Sequence, residues 1–372
     1  MVNGIRKAAF SCSKYVSGKS MDEVMREYGL DSVVKLGSNE NMYGPFPHAL
    51  EAMRDEVAMI NIYPERNYIK LKELLADRFG LEDASWVSLG HGAGNVLDSI
   101  AKTLLEDGDE VIIPQQSYRL YPEISKIMGA KVVEVPLDEH YRISLQDFAK
   151  ALTPRTKIVW LCNPNNPTGT VVNREDFAWF IDQMPTDCWL VVDEAYAEFA
   201  DQNLLPDVVS FIREGRQVID VRTFSKYYGL AGGRIGYLLA DPEFVNWYDT
   251  VSEPFNSNRT GLAGAVALLE HDLPECQRCC DLMKADRTRM NQELTDLGCD
   301  CIDSQANFLF FSTPFDANEL AERLLRRGVI VRPCAGWGYD KHLRVSIGTT
   351  EQNDEFLRQF KAVYSEMLQA AA

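Results

Sequence analysis

The sequence has no long uninterrupted apolar run, although 46% of its 372 residues are hydrophobic. No segment reaches the roughly 20 residues that a membrane-spanning helix needs, and the first 15 residues contain no apolar stretch typical of a signal peptide. A basic stripe is also absent, because 55 Asp and Glu outnumber 38 Lys and Arg and the net charge is −17. We therefore expect a cytoplasmic protein with neither nucleic acid nor a membrane as a partner.

Cysteine is present in an odd number, nine, with no regular spacing that would indicate a disulfide framework. Cys276, Cys279 and Cys280 share one helical face, and Cys299 and Cys301 alternate as in a strand. Neither group has a second pair at zinc-finger spacing, so we expect buried thiols and no metal site.

Short apolar runs rich in β-branched residues alternate with segments of helical length, such as 95–105 and 174–183. The runs are 86–89, 110–113, 131–135, 157–161, 189–192, 217–221 and 236–240. Near-continuous hydrophobic strands indicate a sheet covered on both faces, so the pattern predicts an α/β fold with a mostly parallel seven-stranded sheet. Its ligand should lie beyond the carboxyl ends of the strands.

The last third of the chain has a different pattern. A long helical stretch runs from about 262 past 289, and predicted strands at 308–311, 329–331 and 342–346 alternate with predicted helices at 317–327 and 351–368. This indicates a smaller α+β domain. We expect residues 1–40 to form an N-terminal arm and part of the small domain, 41–270 the large domain, and 271–372 the C-terminal small domain.

Lys226 follows Thr223 and Ser225 closely and precedes a glycine-rich turn that ends in Arg234. A lysine that forms a Schiff base needs a neutral amine, which burial and nearby cations favour. The two hydroxyl groups and the guanidinium group are suited to a phosphate dianion. This arrangement predicts pyridoxal phosphate as the cofactor, whereas Lys226 without its neighbours would be read as an exposed loop residue.

The turn at 89–95 links a strand to a helix, so its backbone amides and the helix N-terminus could receive a phosphate. It also resembles a dinucleotide-binding fingerprint. Asn95, however, replaces the third glycine of that fingerprint, and no acidic residue clearly ends the following strand. We therefore favour a phosphate cradle over a nicotinamide site.

Polar residues follow several strands of the predicted sheet. Asn166 lies in the turn 163–169, Asp193 ends the next strand with Tyr196 close behind, and Tyr118 follows another strand end. Asp193 could keep a pyridine nitrogen protonated, Asn166 and Tyr196 could donate to a ring oxygen, and Tyr118 could stack on the ring. Individually, Asp193 could be a helix N-cap and Tyr118 a core residue.

On these motifs the chain resembles the class I and II, fold-type I aminotransferases, which use pyridoxal phosphate, and within them the histidinol-phosphate aminotransferases. The segments that carry the resemblance extend over nearly the whole chain. They are 14–19, 36–45, 63–65, 163–169, 193–196, 225–226, 328–333 and 343–349.

The resemblance implies roles for individual residues. Lys226 would be the Schiff-base lysine and proton carrier, with Asp193 and Tyr196 as the other catalytic residues. The cofactor-binding residues would be Ala93, Gly94, Tyr118, Asn166, Asp193, Tyr196, Thr223, Ser225, Lys226 and Arg234, with Tyr63 from the partner subunit of a homodimer. The substrate-binding residues would be Tyr15, Asn166, Arg332 and Arg344.

The implied reaction is transamination of histidinol phosphate, an amino donor, with 2-oxoglutarate as the oxo acid, in histidine biosynthesis. Ala93-Gly94-Asn95 replaces the acidic version of the phosphate cradle that is common in relatives, and Trp337 and Met42 are individual to this chain. Alternatives are an aromatic amino-acid aminotransferase, a phosphothreonine decarboxylase and the effector-binding module of a transcription regulator. The last carries an added DNA-binding domain, for which the sequence shows no segment.

Overall fold

The computed structural model describes residues 4–14 and 18–371. The strands are β1 (Val34–Lys35), β2 (Val87–His91), β3 (Glu110–Pro114), β4 (Lys131–Val135), β5 (Thr156–Cys162), β6 (Trp189–Asp193), β7 (Val218–Thr223), β8 (Ile235–Leu239), β9 (Asp300–Cys301), β10 (Phe308–Ser312), β11 (Val329–Ile330), β12 (Arg332–Pro333) and β13 (His342–Ser346). The α-helices are α1 (Met21–Tyr28), α2 (Pro47–Val57), α3 (Ile69–Phe79), α4 (Ala93–Leu104), α5 (Leu120–Ile127), α6 (Leu145–Ala151), α7 (Arg174–Ile181), α8 (Val208–Arg213), α9 (Pro242–Val251), α10 (Arg259–Ala267), α11 (Leu273–Asp296), α12 (Ala317–Arg326) and α13 (Thr350–Ala371).

Seven strands form the large sheet in the spatial order β2-β8-β7-β6-β5-β3-β4. All neighbouring pairs are parallel except those of β8, which runs antiparallel to both β2 and β7. Successive side chains of β5 pack into two different hydrophobic cores: Val159 belongs to one, and Ile158 and Trp160 belong to the other. Burial on both faces explains the continuous apolar runs, and the predicted mostly parallel seven-stranded sheet is confirmed.

Two smaller sheets lie in the remainder of the chain. One is antiparallel, with the order β12-β13-β10-β9, and the other pairs β1 with β11 in parallel. The strand predicted at 329–331 is present as β11, which ends one residue earlier, at Ile330. The next strand, β12, was not predicted and belongs to the other sheet. Main-chain partners change there: Leu36 donates to the Ile330 carbonyl, whereas Cys334 donates to that of His342. The predicted domain boundaries stay a prediction.

The long helical stretch predicted from about 262 past 289 is interrupted. A π-helical turn, Leu268–Asp272, separates α10 from α11. Pro274 lies in the first turn of α11 and has no N–H with which to donate to the carbonyl one turn earlier. The proline therefore accounts for the irregular turn at this point.

Candidate active site

The carboxyl ends of the large sheet open into a cavity of about 680 Å³, which β12 and β13 of the antiparallel sheet help to line. Most of the predicted site residues line it. They are Ala93, Gly94, Tyr118, Asn166, Asp193, Tyr196, Thr223, Ser225, Lys226, Arg234, Arg332 and Arg344.

Two predicted site residues are not among these lining residues. Tyr15 lies outside the described residues. Tyr63 is 74% exposed, away from the cavity, and its ring stacks on Phe255 with 4.6 Å between centroids.

One end of the cavity is built to receive an anion. The Thr223 hydroxyl donates to Ser225 Oγ at 2.9 Å, and Arg234 Nη1 donates to the same oxygen at 3.4 Å. Ala93 and Gly94 are the first residues of α4, so their amides have no intrahelical acceptor. A Cβ on Gly92 would lie 2.2 Å from Arg234 Nη2, so only glycine lets the guanidinium reach this position.

Lys226 lies beside this anion site. Its amine donates to the main-chain oxygen of Ser38 at 3.0 Å. Burial, together with the charges of Arg344 and Arg234, lowers the pKa of Lys226 from 10.5 to about 8, against an opposing effect of Glu40. A larger fraction of the amine is therefore neutral near pH 7 than in an exposed lysine, as a nucleophile requires.

Asp193 ends β6 and is 4% exposed. Its Oδ2 accepts a hydrogen bond from the Tyr121 hydroxyl at 2.7 Å, and Oδ1 accepts one from the Ala195 amide at 3.2 Å. Burial, only partly offset by these two hydrogen bonds, raises the pKa of Asp193 to about 6. The carboxylate is thus held in an apolar environment by donors that favour its charged form.

Arg332 and Arg344 are directly opposite each other on the antiparallel strands β12 and β13. Residues opposite each other point to the same face, so both guanidinium groups reach one part of the cavity. Arg344 is 6% exposed and donates to Asn166 Oδ1 at 2.6 Å and to the Gly37 carbonyl at 2.8 Å. Each guanidinium carbon lies 5.8 Å from the centroid of the Trp337 ring.

Known proteins resemble this chain over nearly its full length. Residues 31–360 match the family model described as aminotransferase class I and II. The histidinol-phosphate aminotransferase of Moorella thermoacetica is 38% identical over 359 residues, which cover 96% of this chain and 92% of that protein. That of Symbiobacterium thermophilum is 38% identical over 365 residues, with 98% and 100% covered. The chain belongs to the class I and II aminotransferases.

A solved structure supports the fold of this aminotransferase. The crystal structure of histidinol-phosphate aminotransferase from Sinorhizobium meliloti in complex with pyridoxal-5'-phosphate matches it with a TM-score of 0.89. The sequence identity is 26%, and the match covers 99% of both chains. The predicted fold-type I architecture is therefore confirmed.

The cavity of this aminotransferase fits the predicted cofactor, pyridoxal phosphate. That molecule has an aldehyde, a phosphate, a ring nitrogen and a phenolate oxygen. A primary amine of lowered pKa, an anion site at a helix N-terminus and a buried carboxylate are all present in one cavity. The Tyr196 hydroxyl accepts from Asn39 Nδ2 at 3.1 Å, which leaves its own proton available to a ring oxygen.

Two residues that contact the predicted site residues, Tyr121 and Asn39, were not themselves predicted from the sequence. Tyr121 is fully buried, with its ring stacked on Trp160 at 5.5 Å, and it holds Asp193. Its position three residues after Tyr118, at the start of α5, is the one signal that could have indicated it. Asn39 follows β1 within the segment 36–45 that carries the resemblance, but no local pattern connects it with Tyr196, which lies 157 residues away in the chain.

No helix in the described part of this aminotransferase is long and apolar enough to cross a membrane. Within residues 4–14 and 18–371, no group of three or more His, Cys, Asp and Glu side chains is placed to hold a metal ion. All nine cysteines are free thiols.

Proposed function

We propose that the protein transfers the amino group of histidinol phosphate to 2-oxoglutarate, with pyridoxal phosphate as its cofactor. The observation that carries this proposal is the pairing of Arg332 with Arg344 in the cavity that contains Lys226. Two guanidinium groups suit a phosphate dianion better than one does. The names of the relatives, at 38% identity over nearly the whole chain, support the same substrate.

The cofactor would be held by residues around the sheet's carboxyl edge. We infer that Ala93, Gly94, Thr223, Ser225 and Arg234 bind its phosphate and that Lys226 binds it covalently. Asp193 would keep the ring nitrogen protonated, Asn166 and Tyr196 would donate to the phenolate oxygen, and Tyr118 would stack on the ring. When bound, pyridoxal phosphate supplies an electron sink for the negative charge that develops when the substrate's α-carbon loses its proton.

Lys226 would also carry the proton. A free amine with a pKa of about 8 can accept a proton at the substrate's carbon and release it again near neutral pH. Its acceptor is the neutral Ser38 carbonyl, so within the described residues the amine has no hydrogen bond to a carboxylate that would hold it in the charged form.

The two arginines would bind the substrates of both half-reactions. Guanidinium groups form paired, charge-assisted hydrogen bonds with phosphate and with carboxylate, so one pair serves the phosphate ester first and the oxo acid afterwards. Trp337 keeps its place through a hydrogen bond from its indole N–H to the Ser117 carbonyl at 2.7 Å. It thereby provides an aromatic wall next to both guanidinium groups. Tyr15 would add a further donor to the phosphate.

The active unit would be a homodimer. The segment 57–69 exposes a series of apolar side chains, among them Val57, Ile60, Ile62 and Tyr63, which are 49–74% exposed. Exposed apolar surface of this extent is typical of an interface. Tyr63 would reach the phosphate site of the partner subunit.

The protein would be cytoplasmic. A reducing environment of this kind would suit its nine free thiols.

A comparison of amino donors tests the proposal. Initial rates with histidinol phosphate, phenylalanine and tyrosine, each with 2-oxoglutarate, give three values of kcat/KM for one preparation. We expect the largest value for histidinol phosphate. Efficient turnover of phenylalanine or tyrosine without turnover of histidinol phosphate would indicate an aromatic amino-acid aminotransferase. Carbon dioxide release from phosphothreonine would indicate a decarboxylase instead.

A further inference from the structure

A second cavity, of about 750 Å³, lies behind the active-site strand ends. Glu194 and Arg222 line it, whereas their chain neighbours Asp193 and Thr223 line the active site. Successive side chains of extended chain point to opposite faces. The ends of β6 and β7 therefore lie between the two cavities.

Four cationic side chains of the second cavity have no carboxylate within 4 Å among the residues that the structure describes. They are Arg78, Arg174, Arg213 and Lys284. Arg174 donates to the carbonyls of Leu205 and Gln202, and Arg213 to that of Phe79, each at 2.6 Å. Lys284 donates to the Ala200 carbonyl at 3.3 Å. None of the four is therefore neutralised by a direct ion pair among the described residues, although the charge of Glu198 acts on Arg78 at longer range.

The fifth cation of the second cavity, Arg222, is paired with the nearby carboxylates. It forms ion pairs with Asp220 at 2.7 Å, with Glu198 at 3.4 Å and with Glu194. Burial raises the pKa of Glu194 well above its usual range, against the opposing charge of Arg222. The remaining acid, Asp207, accepts a hydrogen bond from the Ser210 amide at the start of α8.

Arg78 has the most available cationic group of the four. It has no hydrogen-bond acceptor within the described ranges, and its guanidinium carbon lies 5.9 Å from the centroid of the Tyr228 ring. A guanidinium group has five N–H donors in a fixed fork that matches an oxyanion. Cations without a direct ion pair around a concave surface concentrate anions there, in contrast to the net charge of −17 of the chain as a whole.

We propose that the second cavity binds a small metabolite that carries an oxyanion, a phosphate or carboxylate, next to an apolar group. The cations would bind the oxyanion. The side chains of Phe79, Leu205, Val208 and Val209 supply an apolar wall for the rest of the molecule. Because Glu194 and Arg222 adjoin Asp193 and Thr223 in the chain, an occupant would contact the back of the active site.

Phenyl phosphate is the probe, because it combines a phosphate dianion with an apolar ring. Equilibrium dialysis against the full-length protein, saturated with its cofactor, measures the number of sites per chain and their Kd. The R78Q/K284Q variant removes two cations of the second cavity. The R142Q/K341Q variant removes the same charge from exposed side chains that line neither cavity.

We expect R78Q/K284Q to weaken one class of sites by about tenfold or more, since each charged hydrogen bond contributes about ten- to a hundredfold in affinity. R142Q/K341Q should bind as the wild type does. R332Q should weaken only a site in the active-site cavity, which separates this proposal from the proposed substrate. Inorganic phosphate should bind more weakly than phenyl phosphate at the second cavity.

Binding that R78Q/K284Q leaves unchanged would overturn the proposal, as would a wild-type protein with no site beyond the one that R332Q affects. Circular dichroism establishes whether the double variant folds. If it does not, R213Q provides the same test through a third cation, and unchanged affinity in R213Q would overturn the proposal equally.

Discussion

Replacement of Tyr121 by phenylalanine should raise the pKa of Asp193. The substitution removes the hydroxyl that donates to Asp193 Oδ2 at 2.7 Å, and the ring keeps its place against Trp160. With the hydrogen bond in place, burial raises this pKa to about 6, and Tyr121 has the largest of the effects that lower it. A hydrogen bond to a buried charged group contributes about 1.5–3 kcal/mol, which corresponds to about one to two pKa units.

The direction of the effect on activity follows from the charged form of Asp193. If the carboxylate must be ionised to keep a ring nitrogen protonated, activity falls as pH decreases through the pKa of Asp193. In Tyr121→Phe this acid limb should move to higher pH by about one to two units, which lowers the rate at pH 7 more than at pH 9. The apoprotein offers a direct measurement, because the carboxyl signal of labelled aspartate reports the pKa without cofactor.

Tyr248→Phe is the matched control. Tyr248 is equally buried, but its hydroxyl donates to the Leu89 carbonyl. Loss of this hydroxyl therefore removes a hydrogen bond between neutral groups and removes no hydrogen bond from Asp193. The reasoning is refuted if Tyr121→Phe and Tyr248→Phe give the same acid limb and the same Asp193 pKa as the wild type.

Three further predictions concern the proposed roles of site residues. Lys226→Ala should abolish both transamination and covalent attachment of the cofactor. Borohydride reduction followed by peptide mass spectrometry locates the attachment site, and a cofactor found on another lysine would contradict this prediction. Arg332→Ala should lower kcat/KM for histidinol phosphate by about ten- to a hundredfold and affect phenylalanine less, whereas Arg344→Ala should impair both donors; equal losses in the two variants for every donor would argue against separate roles. Mixing Lys226→Ala with an impaired Tyr63 variant should restore part of the activity, because one site of the mixed dimer contains both native residues; no recovery after verified subunit exchange would exclude a shared site.

The ends of β6 and β7 place residues that are neighbours in the chain in two different cavities. Asp193 faces the active site and Glu194 the cavity behind it, so a one-residue shift in register would exchange them. The main-chain bond from the Glu194 amide to the Val221 carbonyl continues the pairing of β6 with β7 past the last strand residue. This pairing therefore holds both carboxyl groups in place.

The sequence by itself determined the large sheet and the motifs at its strand ends. The apolar runs are long enough to specify strands, and parallel strands bring their carboxyl ends to one edge. Asn166, Asp193 and Lys226 therefore had to lie near one another once the strands were recognised, and the structure places them in one cavity.

Only the tertiary structure decided which residues meet across long distances in the chain. The cross-strand pairing of Arg332 with Arg344 depends on a register between strands of two residues and five residues, which the pattern at 329–331 did not reveal. Tyr121 reaches Asp193 across 72 positions of the chain through the packing of α5 on the sheet. Local sequence patterns specify the period and the ends of an element, whereas such contacts depend on how complete elements pack.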